Sequence, residues 1–183
     1  KKRSMILGDE SASLYDNMFC AISEIMPEGV LYVWFAGQRM REVSTAIENS
    51  GYTIRALLIW NKLNAHYGAP AANYCNKCEP MIYAVRGKSR FIGPTNEVTV
   101  WDAEQPHINE YHPTQKPISL IERAIRNHSG DIIFDPFLGS GTTAVAAERL
   151  GRVCYGMEIE PKYVAVTLER LADMGLTPEL QKP

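Results

Sequence analysis

Phe134-Asp-Pro-Phe-Leu-Gly-Ser-Gly-Thr-Thr143 is the stretch on which the fold turns. The apolar run Ile132-Ile-Phe134 ends in Asp135-Pro136 and a glycine-spaced turn, and Thr142-Thr-Ala-Val-Ala-Ala-Glu-Arg-Leu150 then continues as a helix closed by Gly151. The pattern is strand, tight turn, helix. Gly139 and Gly141 lack a Cβ, so the backbone can turn sharply and a ligand can approach main-chain N–H groups at the helix N-terminus.

Working outward, Arg152-Val-Cys-Tyr-Gly-Met-Glu-Ile159 is expected as a second strand. It carries Glu158 about 20 residues past the glycines, where doubly wound nucleotide-binding folds place a carboxylate for ribose hydroxyls. The dinucleotide pattern needs a third glycine, and Ala144 stands there instead. On these residues alone two roles stay open: a nucleotide site, or a tight turn with Asp135 as a solvated strand-end carboxylate.

Two further blocks narrow the choice: Gly156-Met-Glu-Ile-Glu-Pro-Lys-Tyr163 behind the loop and His112-Pro-Thr-Gln-Lys-Pro117 ahead of it. Together the three resemble the S-adenosylmethionine loop, the acidic ribose motif and an associated block of the amino-methylating DNA methyltransferases, which modify adenine N6 or cytosine N4. Their order is similar to that of the circularly permuted beta group. The blocks cover residues 112 to 163, and the rest of the chain can be laid on the same family.

The resemblance implies an α/β, three-layer Rossmann-like methyltransferase fold, with a mostly parallel sheet, an antiparallel edge hairpin and a circularly permuted order. It implies S-adenosylmethionine as cofactor, held by Asp135, Pro136, Phe137, Gly139, Ser140, Gly141, Thr142 and Thr143, with Asp135 near the methionine amino group. Glu158 would take the ribose hydroxyls and Ile159 the adenine. His112, Thr114, Lys116 and Pro117 would lie beside the methionine end, Thr114 and Lys116 within reach of its carboxylate, a helix cap being the competing role. No metal and no covalent nucleophile is implied.

One family feature is missing. The Asp-Pro-Pro-Tyr or Ser-Pro-Pro-Trp tetrapeptide that holds a flipped base occurs nowhere in the 183 residues, and a segment like Ile6-Leu-Gly-Asp9 follows it in the family. The chain is therefore expected to be N-terminally incomplete, with no catalytic residues of its own and weak or no methylation alone. Adenine N6 is the preferred target for the parent, because the run from His112 to Tyr163 looks most like phage and bacterial adenine enzymes of restriction-modification systems. Cytosine N4 is the runner-up, and a non-catalytic DNA-binding or assembly module is the rival class.

Composition is compatible with this. At 183 residues, 45% apolar and 22% charged, the chain suits a single domain over residues 1–183 with a substantial core. Within it, residues 61–111 would hold a loop and a short target-recognition region, 112–173 the cofactor-binding part, and 174–183 a tail. No apolar run approaches a membrane span and no leader pattern opens the chain, so a cytoplasmic setting is expected.

The net charge of −2 does not mark a nucleic-acid binder. Between residues 52 and 100, however, Arg55, Lys62, Lys77, Arg86, Lys88 and Arg90 face only Glu79 and Glu97, a local excess of four positive charges. Lys62, Arg86, Lys88 and Arg90 are the candidates for phosphate contacts with double-stranded DNA; a solvated mixed-charge surface is the alternative. A homodimer is left open as a further partnership. Cys75-Asn-Lys-Cys78 has the spacing of half a zinc site, but no second pair exists, and Cys78 as the start of a strand is the plainer role.

The remaining pattern alternates. A helix is expected from Ser11 to Met26 with Leu14, Met18, Ala21, Ile22 and Ile25 inward, then a buried strand Gly29–Phe35. Trp34 and Phe35 end that strand, with core packing or a border to the base pocket as their roles. Next come a helix Glu42–Gly51 and a strand Tyr52–Trp60, a long loop Asn61–Lys77, and short strands at Pro80–Val85 and Val98–Trp101. A helix Pro117–Arg126 with Ile118, Ile121, Ala124 and Ile125 inward precedes the loop, and a last helix opened by Pro161 buries Val164, Thr167, Leu168 and Leu171.

Overall fold

The computed structural model describes residues 12–67, 74–88, 90–105 and 115–181. The chain divides into two compact units: residues 1–89 with 98–102, and residues 90–97 with 103–183.

In the first unit, α1 (Ala12–Ile25), β1 (Gly29–Trp34), α2 (Met40–Asn49), β2 (Thr53–Tyr67), β3 (Cys75–Arg86) and β4 (Val100–Asp102) build one sheet with two helices. The strand order is β1-β3-β2-β4. β3 runs antiparallel to both β1 and β2, while β4 is parallel to β2, so three strands point one way and one returns. The expected hairpin is β2–β3; its return strand is inserted between β1 and β2, and the sheet continues past it through β4.

Alternation sorts the strand residues onto two faces. Leu31 opposite Ala84 and Val33 opposite Ile82 share one face, and Ala84 and Ile82 are fully enclosed. The other face is aromatic: Tyr32 lies 5.2 Å from Tyr83 and 6.1 Å from Trp101, and Trp34 meets Trp60 edge-on at 6.1 Å. Trp60 and Trp101, paired across β2 and β4, are 2% and 1% exposed. Side chains of that size typically contribute about 3–5 kcal/mol each against alanine.

Two expectations change here. The segment Asn61–Lys77 is not a loop throughout: β2 runs on to Tyr67 and β3 begins at Cys75, with His66 opposite Asn76 beyond a register break after Asn61. The polar composition concealed a strand pair whose ladder is made by backbone groups that every residue type carries. At the break Leu63 takes φ 62, and the Asn61 side chain accepts its N–H at 3.3 Å while donating to Asp102 at 2.7 Å. In helix α1 Ile22 is buried as expected and Phe19 is buried as well, whereas Leu14 and Ile25 are exposed.

The second unit holds α3 (Ile118–Arg126), β5 (Ile132–Asp135), α4 (Thr142–Arg149), β6 (Val153–Gly156) and α5 (Pro161–Asp173). β5 and β6 are parallel, with Ile133 beside Cys154 and Asp135 beside Gly156. Ile133 and Cys154 pack with Ile118, Ile121, Ile125 and Leu150 onto the enclosed Ala146 and Ala147. Two alanines let α4 approach the strands closely. Leu120, absent from the expected face of α3, is buried as well.

Helix α5 departs furthest from expectation. Val164 and Leu168 are 38% and 43% exposed, while Thr167 and Arg170 are buried. The reason lies in the loop that it meets, described below.

Near the start of this unit Phe91 bridges to His128 and stacks edge-on against its ring at 5.6 Å. Burial holds the His128 pKa below its ordinary value of 6.5, partly offset by a hydrogen bond to the Arg90 backbone. A histidine whose folded pKa is depressed favours the neutral form. Its contribution is intact above pH about 6.5 and is lost as pH falls through that value toward the folded pKa. In denaturant titrations at pH 7.5 and 5, His128→Gln should lose less stability on acidification than the parent chain; an equal loss would remove His128 from the acid response.

Candidate functional site

The site is built where β5 and β6 end. Asp135 is the last residue of β5; its Oδ1 accepts the Phe137 N–H at 2.9 Å and its Oδ2 accepts the Thr143 hydroxyl at 2.6 Å. The first bond closes a tight turn and the second ties the carboxylate to the first turn of α4, where negative charge is favoured. The Met157 N–H donates to the Asp135 carbonyl and the Leu138 N–H to the Met157 carbonyl, both at 2.9 Å, so the loop lies along the segment leaving β6.

Gly139 and Gly141 adopt φ 55 and φ 78, the left-handed region that side chains disfavour. The Gly141 N–H closes a turn onto the Leu138 carbonyl at 3.0 Å. Glu158 stands just past β6, in the turn to α5. Its Oε2 accepts the Gly139 N–H at 2.7 Å and its Oε1 the Glu160 N–H at 2.8 Å. Strand β6 is thus shorter than the expected Arg152–Ile159, and leaving the ladder is what frees Glu158 to reach the loop.

Beneath the loop, the Thr167 hydroxyl donates to the Gly139 carbonyl at 3.2 Å, and the Arg170 guanidinium donates to the Ser140 carbonyl and, at 3.5 Å, to the Thr143 neighbour Thr142 through its hydroxyl. A Cβ on Gly141 would lie 2.6 Å from Thr167 Cγ2. The space at Gly141 therefore admits α5 rather than a ligand, which corrects one half of the glycine argument. Gly156 likewise gives room to Leu138, at 2.6 Å from a notional Cβ.

Asp135, Pro136, Phe137, Gly139, Ser140, Gly141, Thr142, Thr143 and Glu158 are brought together in this one loop region. Ser140 and Thr142 are buried on its α5 side, whereas Phe137 and Ile159 are 70% and 84% exposed. Lys116 is half-buried and Pro117 buried; Pro117 occupies the N-cap position of α3, just ahead of the first helical residue, and α3 packs on α4. His112 and Thr114 lie outside the described residues. Thr167 and Arg170 escaped sequence reasoning as site residues. A polar pair three apart on a helix otherwise read as amphipathic was the only signal.

The phosphate-contact candidates separate. Lys62 is 7% exposed, its Nζ 2.7 Å from Glu79 and 5.2 Å from the centre of the Trp60 ring. Arg86 donates to the Ser23 carbonyl near the end of α1 at 3.2 Å and lies over Tyr52. Both make these contacts within the first unit, Lys62 buried and Arg86 half-buried. Lys88 and Arg90 are exposed. Cys75 and Cys78 are both exposed on β3, and residues three apart on a strand face opposite sides, so they do not converge on an ion. Among the described residues no group of three metal-binding side chains forms, and no helix is long and apolar enough to cross a membrane.

Burial, reinforced by the Asp135 carboxylate, pushes the Cys154 thiol up to about 11, while Cys20, Cys75 and Cys78 are exposed. At pH 8 an alkylating reagent should modify those three cysteines readily in the folded protein and Cys154 only after unfolding, read by peptide mass. Rapid native labelling of Cys154 would contradict its placement.

A strand-end carboxylate, a loop of two left-handed glycines at a helix N-terminus and a second carboxylate on the loop backbone define a class that comparison makes specific. Residues 13–169 match the DNA methylase family of the N6/N4 type, and the chain belongs to that family. The Type II methyltransferase M2.LlaDCHI of Lactococcus lactis subsp. cremoris is 30% identical over 165 residues, which cover 80% of this chain and 61% of that protein. M2.DpnII of Streptococcus pneumoniae is 28% identical over 172 residues, covering 80% and 62%. The crystal structure of the M1.HpyAVI–SAM complex superposes with a TM-score of 0.77 at 27% identity, covering 89% of this chain and 84% of that one. The fold is the α/β fold of the methyltransferases. The chain spans about three fifths of the length of these two curated relatives, by the 61% and 62% coverage above.

Proposed function

We propose that the loop region binds S-adenosylmethionine and that the protein to which the chain belongs methylates an exocyclic amine of a DNA base, adenine N6 in preference to cytosine N4. The observation that carries this is the convergence of Asp135 and Glu158 on one glycine loop, from the ends of two paired strands. The donor set suits the cofactor's chemistry. A carboxylate has about four acceptor positions and each of these two spends part of them on loop N–H or hydroxyl donors, leaving capacity for a ribose diol or an ammonium group. Exposed Phe137, Met157 and Ile159 supply apolar surface for a purine.

When bound, the cofactor supplies an activated methyl group on a sulfonium that is already a good leaving group. The residues here hold and orient: Asp135 and Glu158 fix position and complement positive charge, and the loop sets the helix N-terminus against the ligand. Base-holding residues of the Asp-Pro-Pro-Tyr type are not in this sequence, so we expect these 183 residues alone to methylate weakly or not at all. Restriction-modification is the biological setting that the Type II relatives favour, with double-stranded DNA as substrate.

The test is transfer of a labelled methyl group to duplex DNA by the full-length protein, followed by nucleoside analysis. N6-methyladenine is expected; N4-methylcytosine would reverse the base preference, and absence of label in DNA would reject the assignment.

A further inference from the structure

We propose that Arg170 and Thr167 of α5 are positioning residues for the cofactor loop: they pin its Gly139 and Ser140 carbonyls, so that the Ser140 N–H is turned away from α5 and toward the ligand. This rests on the cofactor assignment above and extends it to a helix that holds the loop by its carbonyls.

Helix α5 is inverted for a surface helix. It buries Thr167 and Arg170, at 5% and 9% exposure, and leaves Val164 and Leu168 substantially in solvent. Burying a guanidinium is costly unless it is hydrogen-bonded, and Arg170 donates to the Ser140 carbonyl and to the Thr142 hydroxyl. Thr167 takes the neighbouring carbonyl, that of Gly139. Two consecutive carbonyls of the glycine loop are therefore held by side chains of one helix.

Peptide planarity converts this into an orientation. In a trans peptide the C=O of one residue and the N–H of the next point in opposite directions. Fixing the Gly139 carbonyl toward Thr167 directs the Ser140 N–H away from α5, and fixing the Ser140 carbonyl toward Arg170 directs the Gly141 N–H into the turn onto Leu138, where it is found. Gly141 completes the arrangement, since its bare Cα lets Thr167 come within reach of the loop.

The experiment compares the full 183-residue chain with Arg170→Met, Arg170→Lys, Thr167→Val and Thr167→Ser. Amide hydrogen exchange is followed without cofactor, and S-adenosylmethionine affinity by calorimetry at a temperature where circular dichroism shows each variant folded. Arg170→Met and Thr167→Val should each speed exchange at residues 139–141 and weaken affinity by about tenfold, the effect of one lost hydrogen bond to a charged or buried group. Exchange in α3, α4 and β5 should stay unchanged, and Arg170→Lys and Thr167→Ser should retain most of the parent behaviour.

Unchanged loop exchange in both Arg170→Met and Thr167→Val overturns the proposal, as does faster exchange spread evenly over the unit, which marks a merely structural role. If Arg170→Met fails to fold, Thr167→Val, which replaces a hydroxyl by a methyl of similar volume, carries the decision. If the parent chain shows no heat with S-adenosylmethionine, the cofactor assignment fails, and the exchange measurement still decides whether α5 orients the loop.

Discussion

Replacing Asp135 by alanine is expected to lower S-adenosylmethionine affinity by about 100-fold, roughly 3 kcal/mol, at unchanged secondary structure. Two losses combine. The carboxylate no longer complements the ligand's positive charge, a charge-assisted contact of about 1.5–3 kcal/mol. The Phe137 N–H and Thr143 hydroxyl also lose their acceptor, so the turn that presents the loop is no longer closed. Asp135→Asn separates the two, because the amide oxygen can still accept from Phe137 while the charge is gone. It should fall between the parent and alanine. Calorimetry on the three proteins checks the order; an alanine variant that binds as tightly as the parent would remove Asp135 from the site.

The second large effect is on stability. Gly141→Ala should destabilise the protein by about 2–4 kcal/mol, read from the denaturant midpoint. Holding an alanine at φ 78 costs about 1–2 kcal/mol. Its Cβ would also sit 2.6 Å from Thr167 Cγ2 and 2.7 Å from Thr167 Oγ1, an overlap of the kind that typically costs about 1–3 kcal/mol to relieve. Adding Thr167→Ala relieves the overlap with Cγ2 and Oγ1 at the cost of the bond to the Gly139 carbonyl, so the double variant should lose less than the sum of the single ones. A loss of under about 1 kcal/mol in the single variant would mean that helix α5 does not press on the loop as described.

What the sequence disclosed follows the range of the interactions involved. The unit from Ile132 to the last helix was legible because each of its parts is signalled locally: a β-rich apolar run, Asp135 before a glycine-spaced turn, a run of helix formers, and Pro161 opening α5. The placing of the carboxylates Asp135 and Glu158 at the loop was legible for the same reason. Arg170 and Thr167 were not, because their partners Ser140 and Gly139 lie 30 and 28 residues away, and a buried arginine looks like any exposed one until its acceptor is placed.

Elsewhere the errors have a similar source. In α1 the expected inward stripe holds at Ile22 but not at Leu14 and Ile25, and Phe19, one position past the expected Met18, is enclosed by packing that sequence does not show. The continuation of β2 beyond Trp60 rests on backbone pairing with β3, which polar side chains do not announce. The partners that Lys62 and Arg86 find within the unit, Glu79 and the Ser23 carbonyl, are distant in sequence and were not legible in it.

Direct titration of the 183-residue chain with S-adenosylmethionine by isothermal calorimetry bears on the central claim more closely than any other measurement. Saturable binding of one cofactor per chain, abolished or strongly weakened by Glu158→Ala and accompanied by a rise in melting temperature, is the predicted outcome. A folded chain that gives neither heat nor thermal shift would show that the glycine loop between β5 and α4 is a structural turn and no cofactor site.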